Sequence, residues 1–255
     1  MAPSDPPPEK PSSRRGMSRN LSLVRLMPNL VTILGLCAGL SAIRFTLDDR
    51  FEIAAALIIF AALLDAVDGL VARRLNAASD FGAELDSLAD FVNFGVAPGV
   101  LVFGYALQEG FAGPGWIFVL VFGVCACLRL ARFNINRDAP KSKGRQFFTG
   151  VPAPAGALLG MLPVFLGLAE LAEPQKAPLL VAFWLAGVGL LMVSTLPTPS
   201  IKGLWVPRDK APYLLIATAF VVGLGITRFW LLMVLVLLAY LATIAGVALW
   251  RHRGR

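Results

Sequence analysis

Eight stretches of this chain are apolar and about as long as a helix must be to cross a lipid bilayer: roughly 28–47, 51–72, 88–107, 115–134, 151–172, 177–195, 211–227 and 229–249. A crossing takes about 20 apolar residues. The seventh stretch is short, and its junction with the eighth is tight. Composition agrees: 57% of the 255 residues are hydrophobic, 15% are charged, and the mean hydropathy is +0.72. The chain therefore reads as an all-α polytopic membrane protein with about eight transmembrane helices. Gly35, Gly39, Pro98, Pro152, Pro154 and Pro163 inside these stretches predict close helix packing and kinks.

The formal charge is +7 and the isoelectric point about 9.8. In a soluble chain such a balance would suggest nucleic acid. Here the cations flank apolar segments, so loop orientation and anionic lipid headgroups account for them, and no nucleic-acid partner is expected. Lys10, Arg14, Arg15, Arg19 and Arg25 precede the first stretch. Arg73 and Arg74 follow the second, Arg137, Lys141, Lys143 and Arg145 the fourth, Lys202, Arg208 and Lys210 the sixth, and Arg251, Arg253 and Arg255 the last. The opposite connections hold little beyond Arg50, Lys176 and Arg228. This one-sided bias predicts that both termini face the cytoplasm, and the chain is expected in the inner membrane. Arg44, at the outer end of the first stretch, is expected to snorkel.

Residues 1–20 are rich in Pro, Ser and Arg and read as a disordered basic arm, with no cleaved signal peptide. Residues 21–250 read as one transmembrane catalytic domain and 251–255 as a basic tail. Cys37, Cys125 and Cys127 lie in apolar runs and read as buried small hydrophobes. The lone histidine, His252, sits in the tail. A histidine base is therefore not expected in the bundle, and a carboxylate or a rarer group is left for that task. No internal repeat is visible, against many secondary transporters.

Carboxylates are costly in an apolar chain and mark sites. Asp65 and Asp68 stand at i and i+3, with Gly69 and Ala72 on the same helical face; Gly82, Asp86 and Asp90 step by four along another. Two such faces joined by a short connection can converge. Their four carboxylates would then repel one another unless cations sit between them, and hard oxygen ligands suit Mg²⁺ or Mn²⁺. Asp80 and Glu84 lie between the halves; a helix N-cap and a solvated face explain them.

The complete pattern is D-x2-D-G-x2-A-R-x8-G-x3-D-x3-D, from Asp65 to Asp90. It resembles the signature of the CDP-alcohol phosphatidyltransferase family, whose members pass a phosphatidyl or similar group from a CDP-linked donor to an alcohol, release CMP and depend on divalent metal. The resemblance implies a fold and a division of labour. Asp65, Asp68, Asp86 and Asp90 would hold divalent metal, in a two-ion clamp on the diphosphate. Asp90 would also take the acceptor proton. Gly69, Ala72 and Gly82 would give the nucleotide room, and Arg73 would meet phosphate.

Further segments resemble the serine-accepting branch of that family. These are Met27 to Gly35, Ser87 to Pro98, Leu128 to Asn134, Phe148 to Ala155, and Thr195 to Ser200 with Val206 to Arg208. The likeness spans about residues 25–212. It implies CDP-diacylglycerol and L-serine as substrates and a homodimer in the membrane. Asn29 and Thr32 are then candidates for the CDP donor, and Asn93, Arg129 and Arg132 for serine or phosphate; helix–helix hydrogen bonds and interfacial cations are the structural alternatives. Glycerol 3-phosphate is the rival acceptor. A divalent-cation transporter is the rival of another class, and Arg73 beside the carboxylates argues against it.

Overall fold

Two apolar helices need a reversal between them, and the residues at 48–50 supply one. In the computed structural model, α1 (Leu23–Leu47) and α2 (Phe51–Leu75) are joined through Asp49, whose φ is 57°. The Asp49 N–H donates to the Thr46 carbonyl and the Arg50 N–H to that of Phe45, the paired bonds that close a helix on a left-handed residue. The structure describes residues 23–75, 79–137, 147–194, 197–199 and 211–253, with backbone alone at several edges of these stretches. The N-terminal arm lies outside them. α1 and α2 run antiparallel, with Thr32 opposite Asp68 and Gly35 opposite Leu64. The buried face of α1 is small or weakly polar (Thr32, Ala38, Ala42, Thr46), while Leu30, Ile33, Leu34 and Leu40 are exposed on the other. That is the pattern of a helix packed closely on one side and facing lipid on the other.

The third and fourth stretches form one helical hairpin. It comprises α3 (Asp80–Asp90), a π-helical turn (Phe91–Val96), α4 (Ala97–Val102), a second π-helical stretch (Phe103–Leu107) and α5 (Gln108–Arg137). The path reverses at Glu109–Phe111, where Gly110 has φ 71°. Beyond it α5 returns along α4 and α3: Gly115 approaches Leu107, Gly99 approaches Val119, Gly95 approaches Ala126, and Asn134 bonds Ser87. The first π-turn has a sequence cause. Pro98 has no N–H, and its ring crowds the carbonyl four residues back. A widened turn relieves this, and the Ala97 N–H bonds the Val92 carbonyl instead.

The fifth stretch, read from sequence as one segment over 151–172, is two short helices, α6 (Ala153–Gly160) and α7 (Leu162–Leu168). Pro163 cannot donate to Leu159; the indole N–H of Trp184 does so at 2.8 Å. Glu170, with φ 60°, ends α7 by the same paired bonds as Asp49. α8 (Pro178–Val193) carries Trp184. Two three-residue strands, β1 (Phe147–Thr149) and β2 (Pro197–Pro199), pair antiparallel, Phe148 opposite Thr198. α9 (Ala211–Thr227) and α10 (Phe229–Arg253) are split by Arg228 alone, and α10 continues into the stretch read as a tail.

The core gathers Phe122, Phe165, Leu101, Leu159, Met161 and Leu185 from α4 to α8, with Val234 and Leu237 of α10. Among the described residues, four helical stretches are long and apolar enough to cross a membrane: Met27–Leu47, Phe51–Leu70, Asp80–Ile135 and Phe229–Val247. The third is the hairpin just described. The molecule is thus an all-α membrane protein. Cys125 is buried as expected, whereas Cys37 and Cys127 are exposed. Arg44 is exposed and pairs with Asp48 at 2.9 Å.

Candidate active site

One end of this bundle gathers carboxylates from two helices. Asp65 and Asp68 stand near the end of α2, one turn apart on one face, as the i, i+3 spacing requires. Asp86 comes from α3. Carboxylate oxygens of Asp65, Asp68 and Asp86 all lie within 4.8 Å of one another. Like charges so close repel by about 3–4 kcal/mol per pair at an effective dielectric near 20. The donor set is all oxygen, and this is the one such group among the described residues. It suits a hard divalent cation, which would remove that repulsion.

α1 orients this group. Asp68 is 6% exposed, and the Thr32 hydroxyl, itself buried, lies 3.0 Å from its Oδ2 and 3.1 Å from the Pro28 carbonyl. A hydroxyl has one proton, and an ionised carboxylate is the stronger acceptor of the two. Asn29 meets the other acidic helix: a methyl placed on Gly82 would stand 2.6 Å from Asn29 Oδ1 and 3.1 Å from Ser79 Oγ. Gly82 thus lets α3 approach the Asn29 side chain of α1 closely. The helix cap is Ser79, whose Oγ accepts from the Gly82 N–H at 3.0 Å, and not Asp80. Asp80 occupies the first turn, where a carboxylate favours the helix dipole. Glu84 is exposed, as expected.

Asp90 departs from the simplest expectation. It is not in the group within 4.8 Å, although it lies within electrostatic reach of all three members and of Arg129. Three of the four anticipated carboxylates converge, and the fourth stands beside them. Gly69 follows Asp68 and is half-buried. Ala72 and Arg73 belong to the last turns of α2, and their side chains lie outside the described residues.

The other candidates separate. Arg129 Nε donates to the Val151 carbonyl, and Arg132 Nη1 donates to that of Val193 at 2.7 Å. Val193 ends α8, so Arg132 caps that helix with a cation. Between these ties Gly150 has φ 81°, and a methyl there would lie 2.6 Å from the Ser194 carbonyl oxygen. Asn93 is 3% exposed, and its amide faces Gly35 and Gly39 of α1. Two residues near the site carried no sequence signal strong enough to be singled out. Asn134 Nδ2 donates to Ser87 Oγ at 2.7 Å and ties the hairpin beside Asp86. Tyr240 of α10 lies within electrostatic reach of Arg129; its hint was a phenol in an otherwise apolar run.

Fold and site together define a membrane-integral protein with a cluster of oxygen-donor carboxylates at one end of its helix bundle. Residues 25–195 match the family described as CDP-alcohol phosphatidyltransferase, and the chain belongs to that family of transferases. It is 38% identical over 239 residues to the CDP-diacylglycerol–serine O-phosphatidyltransferase of Mycobacterium tuberculosis, covering 92% of this chain and 80% of that one. It is 36% identical over 176 residues to the protein of the same name from Bacillus subtilis, covering 69% and 91%. With that of Methanocaldococcus jannaschii it shares 35% identity over 211 residues, covering 82% and 89%.

Proposed function

We propose that this chain transfers the phosphatidyl group of CDP-diacylglycerol to the hydroxyl of L-serine, giving phosphatidylserine and CMP. The observation that carries the reading is the convergence of Asp65, Asp68 and Asp86, with Asp90 set beside them rather than among them. The three converging carboxylates have the donor chemistry to hold Mg²⁺ or Mn²⁺, as two ions, with Asp90 as a further ligand. Bound there, the cations would neutralise charge on the diphosphate and on departing CMP.

The chain's own groups do the rest. The acyl chains of the donor stay in lipid while its cytidine diphosphate enters beside Asn29 and Thr32 of α1 and Gly69 of α2, and Gly82, whose open side is filled by Asn29 and not by free space, brings α3 close to α1. Ala72 and Arg73 follow on α2, Arg73 offering a forked cation to phosphate. The serine hydroxyl attacks the phosphorus nearer the diacylglycerol. Its oxygen forms the new P–O bond, the bridging P–O bond to CMP breaks with its electron pair, and the hydroxyl proton passes to the Asp90 carboxylate. Arg129 and Arg132 attract the serine carboxylate from one turn apart on α5.

Eight crossings, termini and site on the cytoplasmic side of the inner membrane, and a homodimer complete the reading. The one-sided Lys and Arg distribution supports the orientation. The test is CMP release by the purified chain from CDP-diacylglycerol with Mn²⁺ or Mg²⁺ and a panel of acceptors. Serine should support release and glycerol 3-phosphate should not; the reverse preference would reassign the acceptor, and no release with any alcohol would reject transfer.

A further inference from the structure

We infer that Asn93 is a positioning residue for Asp90: docked in a glycine notch of α1, it fixes the π-helical turn that sets where the Asp90 carboxylate stands relative to the three converging ones. This rests on the reading of Asp90 as proton acceptor given above. Asn93 lies in the turn Phe91–Val96 that begins directly after Asp90. Its side chain is 3% exposed, and its Oδ1 has no hydrogen-bond partner. A buried amide oxygen left unpaired is unfavourable and rare, so the position must require the amide for another reason.

Shape supplies that reason. A methyl on Gly39 would stand 2.0 Å from Asn93 Oδ1 and 3.0 Å from its Cγ, and one on Gly35 would stand 3.6 Å from Nδ2. The amide therefore fills the notch between these glycines. On the opposite side of the same turn, a methyl on Gly95 would meet the Phe91 ring at 3.0 Å and Ala126 of α5 at 3.2 Å. The turn is clamped between α1 and α5, and the end of α3 is clamped with it. The same face of α1 carries Thr32, which bonds Asp68, so one helix sets both halves of the carboxylate site.

Height along α1 offsets Asn93 from Thr32. Gly35 and Gly39 lie three and seven residues beyond Thr32, about 4.5 and 10 Å deeper along the helix axis, and the amide is packed between them.

The test uses the full chain and three variants, Gly39→Ala, Asn93→Ala and the double change, with Mn²⁺, CDP-diacylglycerol and serine. Gly39→Ala forces a methyl into the amide and should lower kcat about 100-fold, the scale of a roughly 1 Å misplacement. Asn93→Ala empties the notch and should lower kcat about tenfold, with both KM values and the Mn²⁺ half-saturation changed less than about twofold. The double variant removes the two closest contacts and leaves only the Cα of residue 93, 3.3 Å from the methyl, so it should recover toward the level of Asn93→Ala. Should Gly39→Ala fail to fold, the kcat-against-KM split in Asn93→Ala decides. A raised serine or donor KM with kcat retained would make Asn93 a substrate contact and overturn the inference, as would a double variant no better than Gly39→Ala. Asp90→Asn, assayed beside them, should abolish turnover while keeping CDP-diacylglycerol binding. Wild-type-like turnover there would instead overturn the base reading on which the inference stands.

Discussion

Both ends of the helix bundle carry acids, and they differ in what holds them. At one end Asp65, Asp68 and Asp86 converge within 4.8 Å, Asp68 buried and bonded by Thr32. At the other, Glu170, Glu173 and Lys176 border a cavity of about 690 Å³ with Tyr105, and Asp49 and Glu109 border one of about 350 Å³. Glu173 pairs with Lys176 and Asp48 with Arg44. Asp49 and Glu170 serve the backbone as left-handed residues that close α1 and α7. The far end has cavities and acids too, yet among the described residues its carboxylates do not gather. Convergence enforced by helix spacing, and not acidity alone, distinguishes this carboxylate cluster from a solvated rim.

The largest way to break this contrast is to remove one converging carboxylate. Asp68→Ala should lower metal-dependent CMP release by about three orders of magnitude, since a preorganised charge contact at the reacting group is lost. Glu170→Gln at the far end should leave the rate within about twofold. Equal losses in the two variants would dissolve the distinction. A smaller effect is expected from Thr32→Val, which removes only the donor to Asp68 Oδ2. The Mn²⁺ concentration for half-maximal rate should rise about 10- to 100-fold with the donor KM less affected.

The two arginines sharpen the same contrast for the proposed serine contact. Arg129 is half-buried and within reach of Asp90, whereas Arg132 is exposed and caps α8. Arg129→Ala should raise the serine KM about tenfold or more, and Arg132→Ala less, because an exposed cation is screened. A larger rise in the donor KM would assign the pair to the diphosphate. The smallest effect on activity belongs to Trp184→Phe. Loss of the bond to the Leu159 carbonyl should cost about 1–3 kcal/mol of stability in thermal unfolding, with metal dependence unchanged.

Much of this was legible in the sequence for physical reasons. Apolar length fixed the helices, because each run of such length buries its backbone only by coiling. The i, i+3 and i, i+4 spacings fixed the faces on which Asp65, Asp68 and Asp86 lie. Two signals stood in the chain with consequences that needed three dimensions. Pro98 carried the widened turn after Asp90, and Pro163 carried the break between α6 and α7, but neither says which donor, such as Trp184, satisfies the freed carbonyl. The partners of Arg129 and Arg132 were not legible at all, since backbone carbonyls at Val151 and Val193 leave no trace in side-chain type. The offset of Asp90 from the other three carboxylates was not legible either: it stands one turn beyond Asp86 in regular α3, and how far that turn carries it from Asp65 and Asp68 depends on how α3 crosses α2.

The most direct measurement is Mn²⁺ binding to the purified chain, followed by electron paramagnetic resonance in wild type, Asp68→Ala and Glu170→Gln. Saturable binding in wild type and in Glu170→Gln, lost in Asp68→Ala, is the predicted result. Binding that survives Asp68→Ala, or that disappears with Glu170→Gln, would contradict a cation site built by the convergence of Asp65, Asp68 and Asp86.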